Sequence, residues 1–209
     1  MRQRAIATHK VVIDKGSAAA ELSSSEHTQI ALSAFSFFFS ELCVRAYTFP
    51  TKVKNVEEVE ARLTSLGAHV GTRLIMLSSV RDPVELRRRP LTIDAVLKLL
   101  QDKLWTRWFS RPASEIQRES NSDRFFLFDS DPIVLRYVHP SPDYVDSEGR
   151  WNVNYASFMG GIIQGALQSM GFEAEVQTYH QPDSGKPHQA LFVIAFAKHV
   201  WDRERKMRT

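Results

Sequence analysis

The pattern of apolar and polar positions divides the chain into a helical first half and a second half of mixed period. From Val56 to Val80, Val59, Leu63, Leu66, Val70, Leu74 and Leu77 recur at three- and four-residue steps, which predicts one long amphipathic helix. Asn55 and Glu58 have the spacing of a capping pair at its start. Before it, residues from about His27 to Tyr47 predict a helix that is apolar on more than one face. Ile30, Ala34, Phe37, Phe38 and Leu42 follow one side, and Phe35, Phe39 and Cys43 another. A helix apolar around most of its circumference is covered on several sides. In a chain of 209 residues, one of those covers is expected to be another protein. Residues 1–22 read as a flexible lead-in with a short strand at Lys10–Ile13, and Ser23 with Glu26 has capping-box spacing.

A third helix follows the charged stretch Asp82–Arg89 and carries Ile93, Val96, Leu97, Leu100 and Leu104 into Trp105, Trp108 and Phe109. Beyond Pro112 the period changes. Arg111–Ser122 reads as a polar connection. Asp123–Asp129 and Ile133–His139 predict two strands joined by Ser130-Asp131-Pro132. Asn154 to Met170 predicts a helix, and Gly171 sits where a helix end favours positive φ. Alternation over Phe172–His180 predicts a half-buried strand, and Ala190–Ala197 a more apolar one. This order defines an α+β fold, an antiparallel sheet with helices packed on one side. It forms a single domain over residues 23–200, with a basic tail over 201–209.

Composition narrows the function classes. A hydrophobic share of 43%, including 13 Phe, excludes a disordered chain. The lone Cys43 excludes a disulfide scaffold, and a net charge of +3 gives little reason to expect a nucleic-acid partner. No apolar run approaches the roughly 18 residues of a membrane span. His9, Lys10 and Asp14 interrupt any signal-peptide core, so a cytoplasmic location is expected.

Candidate chemistry is sparse. Phosphate-loop, dinucleotide and zinc motifs are missing, and no catalytic residue, cofactor or metal is expected. His180 and His188 lie close across a turn, but without the further ligands that zinc requires. Cys43 on its Phe-rich helix reads as a small buried thiol. Gly67 and Gly71 share one helix face and allow close approach of another backbone, by tight packing or by admitting a ligand. Arg87–Arg89 reads as a solvated loop. Lys198–Arg208 reads as an exposed extension with weak attraction to acidic lipid or protein.

Two segments carry a family resemblance. Leu66-Gly67-Ala68-His69-Val70-Gly71-Thr72-Arg73-Leu74 resembles the LGxxxGxRL signature of the small subunits of the transport protein particle, TRAPP. The run from Asn154 through Phe158, Gly161 and Gly165 to Leu167, continuing into Gly171–Val176, resembles that family's NxxxFxxGIxxGxL helix and following strand. Among its classes the chain is most similar to the fifth small subunit. The resemblance implies helices on one side of a twisted four-stranded antiparallel sheet, with Gly67, Gly71, Arg73, Gly161 and Gly165 as packing positions. It also implies a non-catalytic building block of a vesicle tether that exchanges nucleotide on a Rab GTPase between ER and Golgi. The implied partners are other TRAPP small subunits, with the Rab only indirectly, and the implied location is peripheral to ER and cis-Golgi membranes. One family member carries an acylated cysteine near its third helix, but Val84–Thr92 holds none here. Phe35, Phe38, Phe39 and Leu42 are the expected partner contacts. The alternative is a small-ligand or lipid-binding module of the same fold, with a pocket opened by Gly67, Gly71, Gly160 and Gly165.

Overall fold

A computed structural model of the chain describes residues 10–13, 28–51, 53, 55–81, 86, 89–109, 111, 113, 116–119, 122–136, 138–140, 142, 145–148 and 151–208. The Ser23–Glu26 capping pair, and residues 1–22 apart from the strand below, lie outside them.

Strand β1 (Lys10–Ile13) pairs antiparallel with β2 (Thr28–Ala31), setting Val11 opposite Ile30. The first helix, α1 (Leu32–Thr48), therefore starts five residues later than its apolar pattern suggests, because Thr28–Ala31 is extended. The long helix α2 (Val56–Arg81) opens where the Glu58 N–H donates to Asn55 Oδ1 at 3.1 Å. Glu57 and Glu58 occupy its first turn, where negative charge meets the positive end of the helix dipole.

Helix α3 (Ile93–Leu99) is capped by Thr92, whose hydroxyl accepts the Ala95 N–H at 3.2 Å. It widens into a π-helical segment, Leu100–Trp105, and closes with α4 (Thr106–Phe109). The wider turn brings Leu100 and Trp105 to the same side, and both are fully buried.

The main sheet has β3 (Gln117–Arg118), β4 (Arg124–Asp129), β5 (Ala174–His180) and β6 (Ala190–Phe196), in the order β3-β4-β6-β5, all antiparallel. Its fourth strand is not Ile133–His139. Pro132 cannot donate to a ladder, and Asp131 is held by Arg111 at 2.9 Å and Arg136 at 2.8 Å, so the chain turns back there. Leu135 N–H closes the turn on Pro132 O at 3.0 Å, and Val134, Leu135 and Val138 are buried without alternating. The missing strand is supplied by Gln117–Arg118, from the stretch expected to be a connection.

Helix α5 (Ser157–Ser169) lies between α2 and the sheet, and only Gln164, Gln168 and Ser169 escape burial. Its Gly160 faces Thr178 of β5, while Gly161 and Gly165 face α2. Under this layer Trp105 meets Phe192 edge-on at 5.6 Å, and Phe172 meets Phe196 at 6.4 Å.

The expected exposed extension is instead a packed helix, α6 (Lys198–Arg208). Val200, Trp201 and Glu204 recur at helical spacing. The Trp201 ring stacks on Phe125 at 6.2 Å, and Glu204 Oε2 accepts the Ile93 N–H at 2.9 Å. Arg203 donates to Gly171 O at 2.9 Å and Arg89 to Met170 O at 2.8 Å, so two arginines satisfy carbonyls at the end of α5. Arg89 thus remains exposed, as expected, but its guanidinium is tied to the end of α5.

Candidate protein-interaction surface

Helix α1 uses only part of its apolar circumference on its own core. Phe39, Cys43 and Ala46 point inward, and the Phe39 ring meets Phe158 at 5.4 Å and Phe35 at 6.2 Å. Phe39 is a core residue, 1% exposed, and this corrects its place among the expected partner contacts. It belongs to the inward side because it stands four residues before Cys43 and seven before Ala46. Phe35 and Leu42 are half-buried against that core. Phe38 alone of the four is open, at 67%, and beside it stands Phe37 at 79%, which the expected set omitted although its position on the same side as Phe38 was legible.

Phe38, Leu42, Phe49, Pro50 and Leu66 line a groove of about 490 Å³ between α1 and α2. Its rim carries the exposed ion pair Glu41–Arg45, at 2.9 Å. Arg62 of α2 holds the closed end. Its Nη1 donates to the carbonyls of Ala46 (3.1 Å), Phe49 (2.6 Å) and Thr51 (3.1 Å), while Nη2 pairs with Glu58 at 2.8 Å. One guanidinium thus satisfies a carbonyl of the last turn of α1 and two of the turn that follows, and ties both to α2. Further exposed apolar side chains stand along α2, at Met76, Leu77 and Val80, and at Leu91 beyond it. Arg62, Arg73 and Arg81 lie along the same helix, which has no acidic residue after Glu60. Arg73 is exposed.

The glycines do a different job. A Cβ on Gly67 would fall 2.0 Å from Phe158 O, and one on Gly71 2.1 Å from Ile162 O. From the other side, Gly161 would meet Thr64 O at 2.0 Å and Gly165 would meet Ala68 O at 2.0 Å. The two backbones are in contact, and the space the glycines create is filled by the facing helix. It is not a ligand pocket.

Other chemistry is thin. Among the described residues, no group of three or more His, Cys, Asp or Glu side chains is placed to hold a metal ion. Burial pushes the Cys43 thiol up to about 12, so it carries no thiolate near neutrality. Sequence reasoning did not foresee that His139 and Trp151 would join His180 and His188, because a loop brings them together from distant positions.

Comparison with known proteins gives a consistent picture. Residues 35–197 match the family described as transport protein particle (TRAPP) component. Trafficking protein particle complex subunit 5 of Dictyostelium discoideum is 27% identical over 176 residues, covering 84% of this chain and 89% of that protein. Subunit 5 of Mus musculus is 29% identical over 181 residues, covering 86% and 87%. Among solved structures, a Naegleria fowleri trafficking protein particle complex subunit 3 covalently bound to palmitic acid superposes with a TM-score of 0.63 at 13% identity, covering 80% of this chain and 95% of that one. At that identity the likeness concerns the fold.

Proposed function

The chain belongs to the transport protein particle (TRAPP) component family, and from that premise we propose that it is a non-catalytic structural subunit of a multisubunit vesicle-tethering complex. Its direct partners are other TRAPP small subunits. In this reading the assembled complex acts as a guanine nucleotide exchange factor for a Rab GTPase in ER-to-Golgi transport, and the Rab is met only through the assembly. The subunit reaches ER and cis-Golgi membranes peripherally. No helix among the described residues is long and apolar enough to cross a membrane.

The observation that supports this reading is the open apolar surface of α1 and α2. Phe37, Phe38, Phe49, Met76 and Val80 each leave most of their surface uncovered by their own chain. Exposed large apolar side chains beside an apolar groove mark interaction sites, and obligate interfaces are apolar in this manner. The groove is lined mainly by apolar side chains, with Glu41, Arg45, Arg62 and Ser65 as its polar members, a lining suited to binding a protein surface. The rival reading, a small-ligand or lipid-binding module, loses its main support because Gly67, Gly71 and Gly165 face backbone and Gly160 faces the Thr178 side chain rather than a cavity.

The test is to isolate the tagged chain from a native lysate and identify what accompanies it, and to compare its solubility alone and co-expressed with other TRAPP subunits. Co-purification in fixed proportion, with solubility rescued by co-expression, is the expected result. A monodisperse monomer indifferent to those subunits overturns the proposal.

A further inference from the structure

Away from the α1–α2 surface, the connection between β4 and α5 is fastened to the end of the β5–β6 hairpin by aromatic side chains. The Trp151 indole stacks on the His180 ring at 4.5 Å and 24°, and meets His188 edge-on at 5.9 Å. His139 stands 5.6 Å from His188 and 6.0 Å from Trp151. Three imidazoles therefore surround one indole.

Hydrogen bonding fixes the state of the central ring. The Trp151 backbone N–H donates to His180 Nδ1 at 3.2 Å, so Nδ1 carries no proton. The other nitrogen, Nε2, stands 2.9 Å from Pro187 O, a group that only accepts, so Nε2 holds the hydrogen. His180 is thereby the neutral Nε2–H tautomer. A second proton on Nδ1 would set two N–H groups against each other where a hydrogen bond now lies. Nearby, His188 Nδ1 is buried without a hydrogen-bond partner.

From this geometry we propose that Trp151, His180 and His188 form a proton-sensitive latch, which fastens Trp151 and the residues leading into α5 at neutral pH and releases them as the surroundings acidify.

Burial and the neighbouring imidazoles outweigh the carboxylates around the latch. Burial holds the His180 imidazole below its ordinary value of 6.5, and His188 pushes the same way, against the Pro187 carbonyl and Asp146. Burial also lowers His188, His139 adds to it, and Asp131 opposes. Asp131 is already engaged by Arg111 and Arg136, at 2.9 and 2.8 Å, which limits what it can offer a protonated His188. Tyr155 of the same connection approaches Trp151 at 6.3 Å from the α5 side. Both histidines have folded values below the unfolded one. Their contribution to stability is complete above about pH 6.5 and is lost as the pH falls through the lowered values. Release would reach further, because Asn154 N–H is bonded to Glu60 of α2 at 2.7 Å and Tyr155 Oη lies 3.5 Å from Tyr47 Oη on α1. Asn154 and Tyr155, which follow Trp151, thus tie the same stretch to α2 and α1.

Amide hydrogen exchange of the full chain, read on peptides spanning residues 145–155 and corrected for the intrinsic pH dependence of exchange, tests this. Protection in the wild type should fall between pH 7.5 and 5.5, by up to about tenfold for each histidine, because pH 5.5 lies about one unit below the ordinary imidazole value. His180→Gln keeps an acceptor and a donor without titrating near neutrality, so its protection should change far less across that range. In a His139→Asn/His188→Asn double variant the remaining His180 should protonate at higher pH, and the midpoint should move up. Unchanged wild-type protection, or a full response in His180→Gln, overturns the latch. Should His180→Gln fail to fold, an unmoved midpoint in the double variant overturns it independently.

Discussion

Gly67 and Phe158 touch backbone to backbone where α2 crosses α5: a Cβ on the glycine would stand 2.0 Å from the phenylalanine carbonyl oxygen. Neither atom sits at the end of a flexible side chain, so the clash is relieved only by parting the helices. Gly67→Ala and Gly161→Ala should each destabilise the fold by about 3 kcal/mol or more in urea unfolding, at the severe end of overpacking. Gly185→Ala is the comparison: its φ is +80° with nothing within 4 Å, so only the conformational penalty of about 1 kcal/mol applies. Equal losses at Gly67 and Gly185 would show that the crossing is not tight.

Much of this was legible in the sequence. The period of α2, the glycine pairs and the alternation of β5 each rest on local chemistry that a single segment contains. Ile133–His139 misled because an apolar run at strand length looks alike whether it joins a sheet or folds as a buried turn; Arg111 and Arg136, which hold Asp131, come from outside the run. Gln117–Arg118 was invisible because two polar residues become a strand only through pairing with Phe126 and Phe125. At α6 the charges suggested an exposed extension, yet Glu204 is 3% exposed because its carboxylate serves the N-terminus of α3, a partner 111 residues away. The apolar excess of α1 was readable, but which phenylalanine faces inward depended on where α2 and α5 lie.

Phe38 and Phe39 are neighbours with opposite roles, which gives a paired test of the interaction surface. Phe39→Ala removes a ring packed on Phe158 and Phe35, and should cost about 3–5 kcal/mol of stability. Phe38→Glu changes an open position, and should leave thermal unfolding within about 0.5 kcal/mol of wild type. The same Phe38→Glu chain should lose co-purification with other TRAPP subunits, as should Phe37→Glu. Retention of partners by both variants would remove this face from the interface.

Glu204 ties the last helix to the third. Its Oε2 accepts the Ile93 N–H in a buried setting, so Glu204→Ala leaves that donor without its charged partner and should cost about 2 kcal/mol. Glu204→Gln keeps an acceptor and should cost less. Removing residues 198–209 uncovers Phe125 and Phe196, on which Trp201 packs, and should yield an aggregating chain. A truncated chain with wild-type solubility and unfolding midpoint would contradict the packed role of α6.

Glu60 provides a pH-dependent prediction with a defined sign. Its Oε1 accepts the Asn154 N–H at 2.7 Å and so joins α2 to the start of α5. Burial raises the Glu60 carboxyl above its ordinary value of 4.5, the Asn154 N–H draws it back, and Glu57 adds to the rise. Because the folded value lies above the unfolded one, the stabilising contribution is full below pH 4.5 and is lost as the pH rises through the folded value. Near neutrality the ionised side chain therefore costs stability while its hydrogen bond contributes. Glu60→Gln keeps the acceptor and removes the charge, so its Tm should exceed wild type at pH 7 and converge with it toward pH 4.5. Glu60→Ala loses the acceptor and should fall below wild type at both, by about 1–3 kcal/mol. A Glu60→Gln chain less stable than wild type at pH 7 would mean that the carboxylate charge itself, and not only its hydrogen bond, holds α2 to α5.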